Sequence, residues 1–497
     1  MKGRARSWAD LYAWQVNRAG DGSLFVQVYR QIRSAILSQR LQPGSKLPST
    51  RELARQLAVS RSAVVAAYEQ LLAEGYVCGK AGSGTYVSTD LSESAIRPKP
   101  TRGKRPDPVI KSLELRSMGD FADVTVQGSE LPFNLGRTLL DTRAVAQWRK
   151  LSARVFRSLG RSHFGYSDPR GSLELRTAIC DYLRAARAVR CDPEQIVVTA
   201  GTQHAIDLVT RVLHTSDMEA WVEDPGYLPT RQALVASGVR VHPVPVDGHG
   251  IDVKAGIKSA PKARAVFVTP SHQFPTGVVL SMARRLELIG WAREAGAWII
   301  EDDYASEFRY GGHPLASMQG LDENERVIYV GTLNKALFPG LRLGYAVVPP
   351  ALLRAFVTAR YLSDRQPSSL SQAFVAEFMQ EGYFAAHIRR MRLMYRGQRD
   401  TLVTTLKRHA VDDITVEAPD QGMHLVGYLR RGLSDVAVER AAGQHGVVVR
   451  AMSRMYVSAP ARPALMLGFS GYPSRMISPA VTRLAGVMRQ KSFRRSN

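Results

Sequence analysis

Gly331-Thr332-Leu333-Asn334-Lys335-Ala336-Leu337-Phe338-Pro339-Gly340-Leu341-Arg342-Leu343-Gly344-Tyr345 follows directly on the β-branched run Val327-Ile328-Tyr329-Val330. An apolar strand that runs into a short polar turn places that turn at its C-terminal end, where ligands bind in open α/β sheets. Lys335 in the turn offers a primary amine that can form an imine with an aldehyde. Thr332 and Arg342 flank it with a hydroxyl and a guanidinium fork, two groups suited to a phosphate. Thirty-three residues upstream, Asp302 closes another apolar run, Trp298-Ile299-Ile300-Glu301, and Tyr304 stands two residues on. A carboxylate buried at the end of such a strand is costly unless paired. A protonated pyridine nitrogen is one such partner, and the pair keeps the ring an electron sink.

Similar apolar runs recur upstream as Gln195-Ile196-Val197-Val198-Thr199, Glu219-Ala220-Trp221-Val222-Glu223 and Ala265-Val266-Phe267-Val268-Thr269. Uniformly apolar strands alternating with helical patterns predict an α/β fold around a largely parallel sheet buried on both faces. After the first run comes Ala200-Gly201-Thr202-Gln203-His204, which opens a helix. A helix N-terminus presents free amides and the positive end of a dipole, a ready phosphate site. After the second comes Asp224-Pro225-Gly226-Tyr227, whose tyrosine can stack on a flat aromatic ligand.

At 497 residues the chain exceeds what one core organises, so two or three domains are expected. No apolar run reaches the roughly 18–20 residues of a membrane span, and the N-terminus lacks the apolar core of a signal peptide. A cytoplasmic protein without membrane attachment is the expectation. Cys78, Cys180 and Cys191 are scattered without metal-ligand spacing and read as free thiols, with no metal site. Net charge is +23, and residues 1–106 carry +10 of it. A basic N-terminal segment attracts a polyanion, because neutralising phosphates releases condensed counterions.

The motifs within residues 21–88 say which polyanion. Phe25, Val28, Ile32 and Ile36 recur at helical spacing up to Pro43-Gly44. Ser49-Thr50-Arg51-Glu52 forms a capping box that starts a second helix. Ser60 caps a third, carrying Val64, Val65, Tyr68, Leu71 and Leu72. Two short helices across so tight a turn form a helix-turn-helix, whose second helix enters the major groove of DNA. Tyr76-Val77-Cys78 and Thr85-Tyr86-Val87 then flank Gly79-Lys80-Ala81-Gly82-Ser83-Gly84, a hairpin wing whose glycines let backbone approach a duplex. From 89 to 120, four prolines and the cluster Arg102, Lys104, Arg105 indicate a linker, with the body spanning 121–497.

The head resembles the winged helix of the GntR family in Leu47 to Ala54, Val59-Ser60-Arg61 and Gly82 to Val87. That resemblance implies contact with double-stranded operator DNA through Arg51, Arg61 and Ser62, with Lys80 and Ser83 of the wing reaching the minor groove. The body resembles the fold-type I aminotransferases of class I/II in Tyr166-Ser167-Asp168-Pro169-Arg170-Gly171, Gly201-Thr202-Gln203, Asp224-Pro225-Gly226-Tyr227, Pro275-Thr276-Gly277, Asp302-Asp303-Tyr304 and the Lys335 segment. Head and body together resemble the MocR subfamily of GntR regulators. This implies a mostly parallel sheet with a smaller C-terminal α/β subdomain, and pyridoxal 5'-phosphate (PLP) in Schiff-base linkage to Lys335. By the same resemblance Asp302 pairs with the pyridine nitrogen, Tyr304 lies near the ring hydroxyl and Tyr227 stacks on the ring. Gly201, Thr202, Gln203, Thr332 and Arg342 hold the phosphate, and Tyr166 reaches the phosphate of the opposite subunit of a homodimer.

Three positions depart from the aminotransferase pattern. Phe274 stands where an asparagine usually bonds the ring hydroxyl, with His272 and Gln273 as candidate substitutes. Met466 occupies the place of the arginine that holds a substrate carboxylate, leaving Arg450 or Arg454 to hold an amino-acid effector. Asn334 replaces the serine common beside the lysine. The expectation is a regulator that senses PLP, a small amine or an amino acid, without efficient turnover. The alternative is a working aminotransferase tethered to DNA.

Overall fold

The computed structural model describes residues 14–17, 23–80, 82–89, 130–139, 141–312, 315–430, 432–458 and 462–490. The chain divides into two compact units, Met1–Lys111 and Ser112–Asn497. Apart from Thr89, the expected linker to residue 120 lies outside the described residues.

In the first unit, α1 (Leu24–Leu37), α2 (Thr50–Leu57) and α3 (Arg61–Ala73) precede the antiparallel hairpin β1 (Val77–Lys80) and β2 (Gly84–Val87). Ser49 caps α2 by accepting from the Glu52 amide at 3.2 Å. The reciprocal half of the expected capping box is replaced: the Glu52 carboxylate accepts from Gln56 Nε2 at 3.4 Å. Ser60 caps α3 through the Ala63 amide. Ala58, with φ +51, ends α2 in the left-handed conformation and makes the tight turn between the two helices. Val28, Ile32, Leu53, Val64, Leu71, Val77 and Val87 are buried in one core that joins the helices to the wing. Leu72, expected inside, is half exposed, because the α3 stripe is centred on Val64, Ala67, Tyr68 and Leu71.

The second unit is built on eight strands: β3 (Ile196–Thr199), β4 (Glu219–Asp224), β5 (Arg240–Asp247), β6 (Gly250–Ile251), β7 (Ala265–Val268), β8 (Trp298–Asp303), β9 (Val327–Thr332) and β10 (Gly344–Val347). Their order is β3-β10-β9-β8-β7-β4-β5-β6. Strands β9, β8, β7, β4 and β5 are mutually parallel, and β10 runs antiparallel between β3 and β9. The C-terminal ends of β3, β4, β7, β8 and β9 therefore open on one edge. Residues alternate between faces. Val222, Phe267 and Ile300 pack with α4 (Thr202–Leu213), α5 (Leu228–Ala236) and, later in the chain, Phe356. Trp221, Val266 and Ile299 pack on the other side beneath α6 (Met282–Ala295), where Trp221 stacks on Trp291 at 3.8 Å.

Beyond α7 (Pro350–Asp364), the smaller subdomain has β11 (Ile414–Val416), β12 (His424–Leu429), β13 (Arg450–Ala451) and β14 (Ala464–Gly468), antiparallel in the order β11-β12-β14-β13. It is backed by α8 (Tyr383–His409), α9 (Asp435–Gln444) and α10 (Ile477–Met488). Cys78 is exposed, while Cys180 and Cys191 are buried free thiols with sulfurs 3.7 Å apart. No helix among the described residues is long and apolar enough to cross a membrane.

Candidate functional site

Lys335 lies in the one-turn helix Leu333–Ala336 at the end of β9. Its Nζ donates to the Gly136 carbonyl at 3.0 Å, and burial pushes its ammonium pKa below the usual lysine range. A larger share of the amine is then neutral and nucleophilic near pH 7. Thr332 caps this turn, its hydroxyl oxygen accepting from the Asn334 amide at 3.2 Å while its proton stays available to a ligand. Asn334 Oδ1 accepts from the Leu343 amide at 3.0 Å, which ties the lysine turn to the entry of β10. Only backbone fits beside it: a Cβ on Gly201, at φ +103, would lie 2.9 Å from Asn334 Nδ2. Gly201 is the N-cap of α4, so Thr202 and the free amides of that helix face the same edge. The Gln203 side chain donates to the Pro229 carbonyl at 3.2 Å. Arg342 is exposed and makes no ion pair with a described residue.

The strand alternation sorts two adjacent aspartates. Asp303 turns to Arg187, at 2.8 Å, and to the Tyr329 hydroxyl, at 2.6 Å. Asp302 turns the other way, and its Oδ1 is buried with no hydrogen-bond partner among the described residues. Burial, aided by Asp303 and Glu223, pushes the Asp302 carboxyl up to about 8. The Tyr304 hydroxyl is also buried without a partner, its pKa raised well above the usual value by burial. Asp302 lines a cavity with Glu223, Tyr227, Thr230, Arg231 and Thr269. Tyr227, 40% exposed at the start of α5, presents its ring there.

Two residues of the site carried no role in the sequence reading. Glu223, buried at the end of β4, accepts from the Thr269 hydroxyl at 2.7 Å, and burial raises its carboxyl to about 7. Its position as a charge closing an apolar strand is the signal that also marked Asp302. The Gly136 carbonyl left no signal, since 199 residues separate it from the lysine it holds.

Phe274 forms an apolar wall, its ring edge-on to Tyr227 at 5.3 Å and to Tyr304 at 6.2 Å. Gln273, a candidate for the missing asparagine, is spent on its own loop. It donates to the Pro225 carbonyl at 2.9 Å and accepts from the Thr276 hydroxyl at 2.6 Å. His272 is buried beside Tyr304, and burial lowers its pKa to about 3, so it is neutral. Met466 is buried with Met452 and Ala464, in a cluster against which Phe274 and Leu135 pack. Arg450 is its cross-strand neighbour, but Arg450 and Arg454 both point to Glu439, at 3.6 and 3.1 Å. Tyr166 is 76% exposed, with the Arg365 guanidinium 3.6 Å over its ring. Among the described residues no cluster of histidine, cysteine and carboxylate side chains could hold a metal.

In the head, Arg51 and Arg61 start α2 and α3, exposed and without ion pairs to described residues. Ser62 Oγ lies 3.0 Å from Ser60 Oγ. In the wing, Lys80 stands 5.0 Å over the Tyr86 ring, and Ser83 Oγ bonds the Tyr86 hydroxyl at 2.7 Å.

Residues 24–87 match the bacterial regulatory proteins of the gntR family, and residues 131–484 match aminotransferase class I and II. The chain is 37% identical over 469 residues to the probable rhizopine catabolism regulatory protein MocR of Rhizobium meliloti, covering 94% of each chain. It is 32% identical to the pyridoxine biosynthesis transcriptional regulator PdxR of Corynebacterium glutamicum, covering 90% of this chain and 92% of that one. Among solved structures, the α-aminoadipate aminotransferase LysN of Thermus thermophilus, complexed with N-(5'-phosphopyridoxyl)-L-leucine, superposes with a TM-score of 0.69 at 26% identity, over 76% of this chain and 96% of that one. A winged helix and an aminotransferase-like body on one polypeptide, with relatives that match both along nearly their whole length, place this chain among the GntR-family transcriptional regulators of the MocR type.

Proposed function

We propose that this regulator binds PLP in its body, exchanges it with a small amine or amino-acid effector, and converts that event into altered operator binding by its head. The observation that carries the reading is the pair of buried, unpartnered groups, Asp302 Oδ1 and the Tyr304 hydroxyl, at the strand edge that also presents Lys335. Burying a carboxylate without a partner costs several kcal/mol, and a site that keeps one is built for a cationic ligand atom. When bound, PLP supplies an aldehyde for an amine and a pyridinium that draws electrons from it. Lys335 would hold the aldehyde end, Asp302 the ring nitrogen and Tyr304 the ring hydroxyl, with Tyr227 against the ring face. The amides of Gly201, Thr202 and Gln203, the Thr332 hydroxyl and Arg342 would hold the phosphate. Tyr166, exposed in one protomer, would complete that cradle across a cytoplasmic homodimer.

Phe274 and Met466 replace a hydrogen-bonding and a cationic group with apolar ones, so an amine effector is bound but its reacting bonds are weakly held in line. Alignment of this kind is worth several kcal/mol of barrier. An effector acts on DNA binding only through differential affinity for two states of the dimer. Titration of the PLP-loaded protein with amines and amino acids, following the visible band and operator affinity together, tests this. Expected is a spectral change with a shift in operator affinity and negligible turnover. Rapid multiple turnover with a keto-acid acceptor and unchanged DNA binding would instead support the alternative, an aminotransferase tethered to DNA.

In the head, Arg61→Ala is expected to weaken specific operator binding by about 1–3 kcal/mol through a lost base contact. Gel-shift titrations at two salt concentrations check this. A uniform loss across sequences with a salt slope smaller by about one would assign Arg61 to a phosphate, and unchanged binding would remove it from the interface.

A further inference from the structure

Helix α8 carries seven lysine and arginine residues, with Asp400 as its single carboxylate. Arg399 holds Asp400 at 2.7 Å and Arg390 is held by Asp141 at 2.7 Å, so neither of these arginines is spare. The other five, Arg389, Arg392, Arg396, Lys407 and Arg408, are exposed and form no ion pair with a described residue. Arg389, Arg392, Arg396 and Lys407, at spacings of three, four and eleven residues, fall on one stripe, with Arg408 about 100° round the helix on the same exposed face. From Arg389 to Arg408 this face is about 28 Å long at 1.5 Å per residue. The opposite side, with Ile388, Met391, Tyr395, Leu402 and Leu406, is buried in the core, which fixes the stripe toward solvent. Helix α10 packs along α8, and Arg483 within it and Arg475 just before it are exposed and likewise make no ion pair with a described residue. Concentrating like charge with one counter-charge on the face, Asp400, itself paired to Arg399, costs repulsion, so the arrangement suits a bound polyanion.

We propose that this face of the body is a second DNA-binding surface that tracks the phosphate backbone of duplex flanking the operator. The inference rests on the reading that the head binds operator DNA, because a head on the same chain raises the effective concentration of duplex around the body. About 28 Å corresponds to roughly eight base pairs of a duplex with one charge per about 1.7 Å of axis. A membrane surface fits poorly: an interfacial helix needs an exposed apolar row, and here Leu393 is the only large apolar residue exposed on α8. Single-stranded RNA fits poorly as well, because the stripe offers no exposed aromatic ring on which bases stack. Contacts limited to phosphates would add affinity and salt dependence and no sequence preference.

The test uses the full-length protein and a duplex that it selects from a random-sequence pool. One form is trimmed to the recognised core and the other is extended by flanks of about 40 base pairs, several times the stripe length at the base-pair rise of duplex DNA. Wild type is expected to bind the long form more tightly and with a steeper salt dependence. The quadruple variant Arg389→Ala, Arg396→Ala, Lys407→Ala, Arg408→Ala is expected to flatten the long-form slope by about 3–4 and to leave the short form unchanged. The pairs Arg389→Ala with Arg396→Ala and Lys407→Ala with Arg408→Ala should each give about half of this, which keeps the test open should the quadruple variant fold poorly. Equal slopes for wild type and variants on the long duplex would overturn the proposal, as would losses confined to single-stranded RNA or anionic vesicles. Failure of wild type to select any duplex would instead overturn the reading of the head.

Discussion

Lys335→Ala is expected to abolish covalent capture of PLP altogether. The amine sits at the end of β9, is held by the Gly136 carbonyl at 3.0 Å, and has its pKa lowered by burial. Surface lysines keep their protons at neutral pH and so compete poorly for an aldehyde. Wild-type protein supplied with PLP should show a visible absorption band and, after borohydride reduction, a single covalent adduct by intact mass. The variant should show neither while keeping its melting behaviour without PLP, since an alanine in this one-turn helix leaves the Thr332 cap and the Asn334 strap in place. An unmodified wild-type chain would remove the lysine from its assigned role. An adduct of equal yield on the variant would move the role to another amine.

The second large effect has opposite signs with and without the ligand. Burial raises the folded-state pKa of Asp302 from 3.8 to about 8. In the unfolded chain this carboxyl ionises near pH 4, so between about pH 4 and 8 the folded state binds the extra proton and stability falls as pH rises. The slope from one such group is at most about 1.4 kcal/mol per pH unit. Asp302→Asn cannot ionise, so PLP-free variant and wild type should be close at pH 4 and diverge in favour of the variant up to about pH 8. With PLP the order should invert, because the pyridinium loses its counter-charge and PLP is released more readily. Thermal unfolding across this pH range, with and without PLP, reads both effects. Parallel curves for the two PLP-free proteins would show that Asp302 does not carry the buried proton.

The sequence alone determined the local elements and the edge at which the chemistry gathers. Apolar runs ending at Thr199, Glu223, Thr269, Asp302 and Val330 became five strands of one sheet, because a strand buried on both faces must be apolar throughout and can turn polar only where it ends. Caps and helical spacing did the same for the winged helix, where Ser49 and Ser60 act on amides three residues away. Each of these signals is read within one element, so no knowledge of the rest of the chain is needed.

Tertiary structure decided what depends on partners distant in sequence. The short run Gly344–Val347 became an antiparallel strand between β3 and β9, closing Gly344 onto Gly201 where a Cβ would lie 2.8 Å from its Cα. Pleating sent Asp303 to Arg187 and left Asp302 facing the cavity, a division that two adjacent aspartates do not announce. Glu439 drew both Arg450 and Arg454 to itself, so the arginines expected to meet a carboxylate already share one from their own chain. Charge pairing and burial are settled by whichever groups packing brings within a few ångströms, and those groups here come from segments as far as 249 residues apart, as Arg390 and Asp141 are.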